Sequence, residues 1–212
     1  MSVESLYPFL YDGAGDAAAV REQAVRSTAH KAAEILELRK RVLASSAADL
    51  ERCAASMAAA FAAGGRLFAF GNGGSSTDAQ ALVRLFTRPH GGQAVPAVCL
   101  TDDVAIVTAL ANDVGFDNVF ARQVSAFARA GDVAVGVSTS GGSENVVRAL
   151  DAASRLGAIT VGLAGYDGGA MAGGTVDHLF VVPSDSVHRI QEAQTTLYHV
   201  LWTLTQEALA SS

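Results

Sequence analysis

GDVAVGVSTSGGSENVVRAL, residues 131–150, contains three patterns in succession. The apolar run at 133–137 is as short as a buried strand, the cluster at 138–143 is made of Ser, Thr and Gly, and a helical pattern begins at 144. A strand that runs through a polar loop into a helix is typical of a parallel α/β sheet. This stretch therefore predicts one repeating step of such a sheet.

The same succession occurs earlier in the chain, where the apolar run RLFAF at 66–70 leads into GNGGSS at 71–76 and then into a helical stretch at 77–86. Strands alternating with helices predict βαβ units and a sheet covered on both faces. We therefore expect an α/β fold, a three-layer, doubly wound, five-stranded parallel sheet. The other expected strands are 94–100, 158–164 and 178–182, and the other expected helices are 104–111, 116–128, 144–156 and 190–209.

The part of the chain before the first strand has helical spacing of apolar residues. We expect one helix over about 17–44 and a second over about 47–63, stopped by Gly64 and Gly65, which together form a helical hairpin. The expected organisation is an irregular arm at 1–16 and a single domain at 17–212, divided into the hairpin at 17–65, which serves oligomerisation, and a ligand-binding core at 66–212.

Composition excludes several classes of protein. A chain of 212 residues suffices for one α/β domain, and a net charge of −6 argues against direct binding of nucleic acid. Cys53 and Cys99 lack a C-x-x-C spacing and lie in apolar surroundings, so we expect buried, unpaired thiols and a cytoplasmic location. No apolar run approaches the roughly 18 residues that a membrane span needs, so we expect no membrane partner.

The two Ser/Gly loops have the chemistry of a phosphate site. Both follow strands, and ligands of doubly wound sheets bind beyond the carboxyl ends of the strands. Glycines allow close approach of the backbone, helix starts present N–H groups, and the hydroxyls of the second loop add neutral donors. The alternative to phosphate binding is that both loops are solvated turns that only cap the following helices. A nucleotide is disfavoured, because Ser76 stands where the dinucleotide motif has its third glycine.

Five stretches in order resemble the sugar isomerase (SIS) domain of the phosphoheptose isomerases, over roughly residues 20–210. They are GNGGSSTDAQ (71–80), ANDVGFDNVFARQV (111–124), GDVAVGVSTSGGSENVVRAL (131–150), GYDGGAMAG (165–173) and RIQEAQTTLYH (189–199). The resemblance implies a homotetramer built around its amino-terminal helices that interconverts sedoheptulose 7-phosphate and a heptose 7-phosphate. It implies that the phosphate is held by Ser138, Thr139, Ser140 and Ser143, and that the sugar is contacted by Asn72, Gly73, Ser75 and Gln191.

The resemblance also implies a zinc site, from which this chain departs. In the family a His and a Glu four residues apart join a Gln and a His of the last helix as ligands. This chain has the last-helix pair, Gln191 and His199, but Ala81 and Leu85 occupy the other two positions. Two ligands do not make a tight zinc site, so we expect no metal and no other cofactor.

Aldose–ketose isomerisation requires a base and an acid on either side of an enediol. His199 is the candidate base, and Glu192 is a weak candidate for the acid, with Glu144 and Asp78 left open as alternatives. A different class of protein also fits. A regulator of the same superfamily, which associates with the bacterial replication initiator, has lost part of the catalytic set and serves as a binding platform.

Overall fold

The structure is a computed structural model that describes residues 17–211, so the predicted arm at 1–16 lies outside the described residues. The chain divides into two compact units, one ending at Glu37 and the other beginning at Leu38. Its elements are α1 (Ala17–Ala62), β1 (Leu67–Gly71), α2 (Gly74–Thr87), β2 (Ala97–Cys99), α3 (Val104–Val114), a 3₁₀ turn (Phe116–Asn118), α4 (Val119–Phe127), β3 (Val133–Ser138), α5 (Glu144–Arg155), β4 (Ile159–Gly165), α6 (Gly169–Ala172), β5 (His178–Val182) and α7 (Val187–Ala210).

The five strands form one parallel sheet, which confirms the predicted fold class. Their order is β2-β1-β3-β4-β5, and every neighbouring pair is parallel. All residues of β1 and of β3 are buried, as expected for strands whose two faces are both covered by helices. Such strands contain continuous apolar runs and not an alternation of apolar and polar residues. These continuous runs are what made the strands recognisable in the sequence.

The strand order places a topological switch between β1 and β3. After β1 the chain moves outward to β2 at the edge of the sheet, and then returns to pair β3 with the other side of β1. Gly71 at the end of β1 lies opposite Val137 near the end of β3. Ligands of open α/β sheets bind at such a point. The two Ser/Gly loops therefore emerge side by side at the carboxyl edge.

The predicted helical hairpin is wrong, because α1 is one continuous helix of 46 residues. The expected break at Ser45 and Ser46 contains neither Gly nor Pro. The Ser45 hydroxyl donates a hydrogen bond to the Val42 carbonyl, 3.0 Å away, so the serine is accommodated within the helix. The predicted glycine stop is confirmed, since Gly65 N–H bonds back to the Ala60 carbonyl at 2.9 Å.

A buried carboxylate joins the starts of β1 and β3, at the edge opposite the loops. Asp132, which is 0% exposed, accepts hydrogen bonds from the backbone N–H groups of Arg66 at 2.8 Å and Arg129 at 3.0 Å. The Arg66 guanidinium also donates a hydrogen bond of 2.8 Å to Asp132 Oδ2. Burial by itself raises the pKa of Asp132, but the hydrogen bonds from Arg66 and Arg129 outweigh it and lower that pKa.

Two further expectations concern cysteines and membranes. Cys53 and Cys99 are both buried and unpaired, as predicted, and burial raises the pKa of the Cys53 thiol to about 12. Within the part of the chain that the structure describes, no helix combines the length and apolar character needed to cross a membrane.

Candidate functional site

Three serine hydroxyls converge at the end of β3. The Oγ atom of Ser138 lies 2.9 Å from Ser143 Oγ and 3.3 Å from Ser140 Oγ. Ser143 occupies the N-cap position of α5, yet its side chain makes no capping hydrogen bond. Its hydroxyl contacts Ser138 instead, and the Ser143 side chain does not satisfy the first-turn N–H groups of α5. Hydroxyls and helix amides together make a set of donors suited to an oxyanion.

The open side of this cluster is formed by the middle of the loop. Ser140 and Gly142 are exposed and Thr139 is half-buried, whereas Ser138 is only 3% exposed. The Gly142 N–H donates to Ser140 Oγ at 3.2 Å. Four predicted phosphate residues, Ser138, Thr139, Ser140 and Ser143, thus lie in one loop with Ser138 as its buried base.

A reciprocal amide pair ties the two loops together. Asn72 Nδ2 donates to Asn145 Oδ1 at 2.8 Å, and Asn145 Nδ2 donates to Asn72 Oδ1 at 3.0 Å. Asn72 was predicted to contact the sugar, but Asn145 was not predicted. Both side chains belong to residues that follow adjacent strands, so their pairing holds the two loops in a common arrangement.

The first loop begins α2 three residues earlier than the predicted start at 77. Gly73, at φ 55°, is the N-cap, and Ser75 falls in the first helical turn, where it is only 4% exposed. Gln191 of α7 lies directly against this turn, because a Cβ added at Gly74 would be 2.0 Å from Gln191 Nε2. Gln191 therefore packs against the loop at Gly74. Gly73 is an exposed residue of the loop, whereas Ser75 is buried beneath the surface of the loop.

The segment that follows β4 packs against the second Ser/Gly loop, residues 138–143. The Gly141 carbonyl accepts a hydrogen bond of 3.0 Å from Met171 N–H. Gly141 has φ 63°, and a Cβ there would lie 2.1 Å from the Gly168 carbonyl oxygen. Only glycine fits this close approach of two backbones.

This contact yields a first prediction with a neighbouring control. Gly141→Ala is expected to destabilise the protein by about 1–3 kcal/mol, because the new methyl group meets backbone and the φ is strained. It should also weaken binding of sugar phosphates by displacing Ser140. Gly142→Ala is expected to leave the free energy of unfolding nearly unchanged, since its Cβ would meet Ser140 Oγ at an ordinary contact distance of 3.8 Å. Denaturant unfolding and calorimetric titration measure both variants, and equal behaviour of the two would contradict the account.

His199 lies on α7 and is exposed. Its imidazole ring stacks on the phenol ring of Tyr198, with 4.9 Å between the ring centroids. Its Nδ1 atom is 2.8 Å from the Thr195 carbonyl oxygen. Because a carbonyl oxygen only accepts, Nδ1 must carry the proton in the neutral ring. Nε2 is thereby left unprotonated, which is the form that a general base requires.

The three candidate acids are in different environments. Glu192 forms an ion pair with Arg189, and Glu144 forms one with Arg148 at 2.7 Å. Asp78 is half-buried between α2 and α7. Burial raises its pKa, while hydrogen bonds from Thr195 and Tyr198 oppose that rise.

The residues at the family's zinc position do not fit the metal. Ala81 and Leu85 line a pocket beside His199, and Arg84 and Arg88 also line it. Fixed positive charges oppose a divalent cation, and the two alkyl side chains offer it no ligand. Within residues 17–211, no group of three or more His, Cys, Asp and Glu side chains is arranged to hold a metal ion.

The sheet order, the switch point and the paired loops define a class of protein: a doubly wound α/β protein with two adjacent Ser/Gly loops at the carboxyl edge of its sheet. The SIS domain family matches residues 32–165 of the chain. The chain therefore belongs to the SIS domain family.

Comparison with known proteins refines this placement. The phosphoheptose isomerase of Solidesulfovibrio magneticus is 42% identical over 194 residues, which are 89% of this chain and 92% of that protein. That of Geotalea daltonii is 46% identical over 157 residues, 72% of this chain and 80% of that protein. The structure of phosphoheptose isomerase from Neisseria gonorrhoeae superimposes with a TM-score of 0.80 at 36% identity, covering 90% of this chain and 100% of that one.

Proposed function

We propose that this protein binds a phosphorylated sugar at the paired loops and interconverts its aldose and ketose forms, with sedoheptulose 7-phosphate or a related sugar phosphate as substrate. Membership of the SIS family and the phosphoheptose isomerases among its relatives support the reaction class. These relatives do not favour the alternative of a regulator that associates with the replication initiator.

The observation that carries the proposal is the serine cluster at the start of α5. The Ser143 side chain does not cap the helix but contacts the Ser138 hydroxyl, so a bound anion could exchange these contacts between hydroxyls for bonds to itself and also accept from the first N–H groups of α5. Each hydrogen bond to a charged group contributes about 1.5–3 kcal/mol, so a few of them suffice without a lysine. In this proposal Asn72, Gly73 and Gln191 surround the sugar next to the bound phosphate, and Ser75, which was also predicted to contact the sugar, supports the loop from beneath.

For the chemical step we propose His199 as the base and Asp78 as the acid. His199 removes a proton from the carbon next to the carbonyl group through Nε2, and the acid protonates the carbonyl oxygen. Asp78 is preferred to Glu192 and Glu144 because both glutamates are in ion pairs with arginine. The raised pKa of Asp78 favours the protonated form that an acid needs.

The test is incubation of the purified protein with sedoheptulose 7-phosphate, with and without added zinc, followed by NMR. We expect turnover that does not depend on zinc. His199→Ala is expected to lower the rate roughly a hundredfold or more, because general base catalysis is lost. Asp78→Asn should have a similar effect. His178→Ala, at the start of β5 on the opposite edge of the sheet, is the matched control and should retain the rate.

One observation favours a second candidate, a sugar-phosphate-binding SIS protein without catalysis. Among the described residues, no carboxylate lines the pocket that contains His199. Absence of turnover, together with thermal stabilisation by sedoheptulose 7-phosphate, would reject the isomerase and leave this binding function.

We also propose a homotetramer in the cytoplasm. Three exposed apolar side chains of α1, Val20 at 60%, Val25 at 64% and Leu36 at 52%, support association through this helix. The two unpaired thiols support a reducing compartment. Sedimentation velocity measures the assembly.

A further inference from the structure

Asn145 belongs to the paired loops, but its side chain is closed off from a ligand. It is the second residue of α5, and it is only 3% exposed. Its partner Asn72 is half-buried, so part of Asn72 is accessible from the surface. The two carboxamides exchange hydrogen bonds of 2.8 and 3.0 Å. A ligand can therefore contact Asn72 but not the Asn145 side chain, whose effect on a ligand passes through its partner.

The reciprocal exchange fixes the plane of the Asn72 carboxamide. A half-turn of this amide alone would set Nδ2 against Nδ2 and Oδ1 against Oδ1, and both hydrogen bonds would be lost. Two ordinary hydrogen bonds favour the paired arrangement roughly tenfold or more. Only a joint half-turn of both amides preserves the two bonds, and that movement leaves the plane of Asn72 unchanged. Asn145 thus holds an accessible side chain in one position before any ligand arrives.

The groups that remain on Asn72 suit a sugar. A carboxamide has two N–H donors and an oxygen with two lone pairs, and the pairing uses one of each. No other hydrogen bond involves the Asn72 carboxamide within residues 17–211. One N–H on one flank and one lone pair on the other are left for a ligand. Hydroxyl groups match both flanks, because each hydroxyl can donate and accept.

The first loop has other attachments that do not depend on Asn145. Pairing of β1 with β3 continues as far as Gly71, the residue before Asn72. On the opposite side of the loop, Ser76 Oγ lies 2.6 Å from the Oγ1 atom of Thr101, two residues after β2. Loss of the Asn145 side chain should therefore release the Asn72 amide and leave the course of the loop unchanged.

We propose that Asn145 is a positioning residue, which holds the Asn72 carboxamide ready for the hydroxyl groups of the sugar. It thereby raises the affinity for the sugar part of the ligand and not for the phosphate. This inference rests on the proposed sugar-phosphate site. The physical reason is preorganisation: a side chain that is already immobilised loses little conformational freedom on binding, an advantage of roughly fivefold in affinity.

The test separates the sugar from the phosphate. Calorimetry measures the dissociation constant of sedoheptulose 7-phosphate, and competition against this ligand measures that of inorganic phosphate. Asn145→Ala is expected to weaken binding of the sugar phosphate roughly fivefold and to change the affinity for inorganic phosphate less than about twofold. Asn145→Ser, which keeps a polar atom in the buried position, should behave in the same way. Thermal unfolding checks that each variant is folded.

A double-mutant cycle tests whether Asn145 acts through Asn72. Asn72→Ala is expected to weaken binding of the sugar phosphate roughly tenfold, because hydrogen bonds to the sugar are lost. Asn72→Ala/Asn145→Ala should bind no more weakly than Asn72→Ala, since no amide is left to position. Thr101→Val is the matched control: it removes the other side-chain hydrogen bond to the loop and should keep the ratio of the two affinities.

Two results would overturn the inference. One is an equal loss of affinity for inorganic phosphate and for the sugar phosphate in Asn145→Ala, which would show that Asn145 supports the phosphate loop. The other is additivity of the two asparagine substitutions, which would show that Asn145 does not act through Asn72. Failure of the unmodified protein to bind either ligand would instead reject the sugar-phosphate site itself.

Discussion

Ser140→Ala combined with Ser143→Ala is expected to weaken binding of sedoheptulose 7-phosphate by roughly a hundredfold or more, because two hydrogen bonds to a charged phosphate are lost. Ser138 would also lose both hydroxyl partners, which lie at 3.3 and 2.9 Å. The protein should remain folded, since Ser140 is exposed and Ser143 makes no capping bond. Calorimetric titration measures the affinity, and thermal unfolding measures the stability of the variant without ligand.

Ser154→Ala is the control for this pair, since Ser154 lies near the far end of α5. Its affinity for the ligand should match that of the unmodified protein. Unchanged affinity of the double variant for every phosphorylated monosaccharide tested would remove the basis of the proposed function. A loss of stability equal to the loss of binding would show that the serines support the fold and not the ligand.

Asp132→Ala is expected to lower the free energy of unfolding by about 3 kcal/mol, because several hydrogen bonds to a buried carboxylate are lost, two of them from backbone N–H groups, while the partly exposed Arg66 side chain can still be solvated. The Arg66 guanidinium and the backbone N–H groups of Arg66 and Arg129 would lose their acceptor. Urea unfolding measures the change. Asp49→Ala, which breaks an exposed ion pair with Arg52, is the control and should cost less than about 1 kcal/mol.

The same carboxylate predicts a pH dependence of stability. Because the folded-state pKa of Asp132 is lowered, its contribution is present above the unfolded pKa of about 3.9 and is lost as the pH falls through the folded pKa. The difference between the unmodified protein and Asp132→Ala should therefore be constant near neutral pH and shrink in acid. A difference that grew as the pH fell would contradict the assignment of a lowered pKa.

The parallel sheet and its two loops were predictable because their signals are local. The apolar runs at 67–71 and 133–138 are buried on both faces, so they contain no polar alternation, and each leads directly into glycines and serines. The helical hairpin was wrongly predicted because apolar spacing around Ser45 and Ser46 is the same in one long helix as in two. Only a glycine or proline would have shown a break.

Other features depend on residues that are distant in the sequence. The pairing of Asn72 with Asn145 joins residues 73 positions apart, and no spacing pattern connects them. From sequence Glu192 was only a weak candidate for the acid, with Glu144 and Asp78 as alternatives, because no spacing pattern selects among them. In the structure the two glutamates form ion pairs, whereas Asp78 is half-buried.

Local chemistry was enough to predict the fold class and the position of the two Ser/Gly loops, since strand burial, glycine turns and helix starts are each encoded in a few consecutive residues. Three other features exist only because helices and loops pack against one another. They are the Ser143 side chain that does not cap its helix, the contact that sets the tautomer of the neutral His199 ring, and the pocket lined by Arg84 and Arg88. The physical reason is that the direction, burial and pairing of a side chain depend on which residues surround it in the folded protein. Those neighbours come from distant parts of the chain and cannot be read from the local sequence.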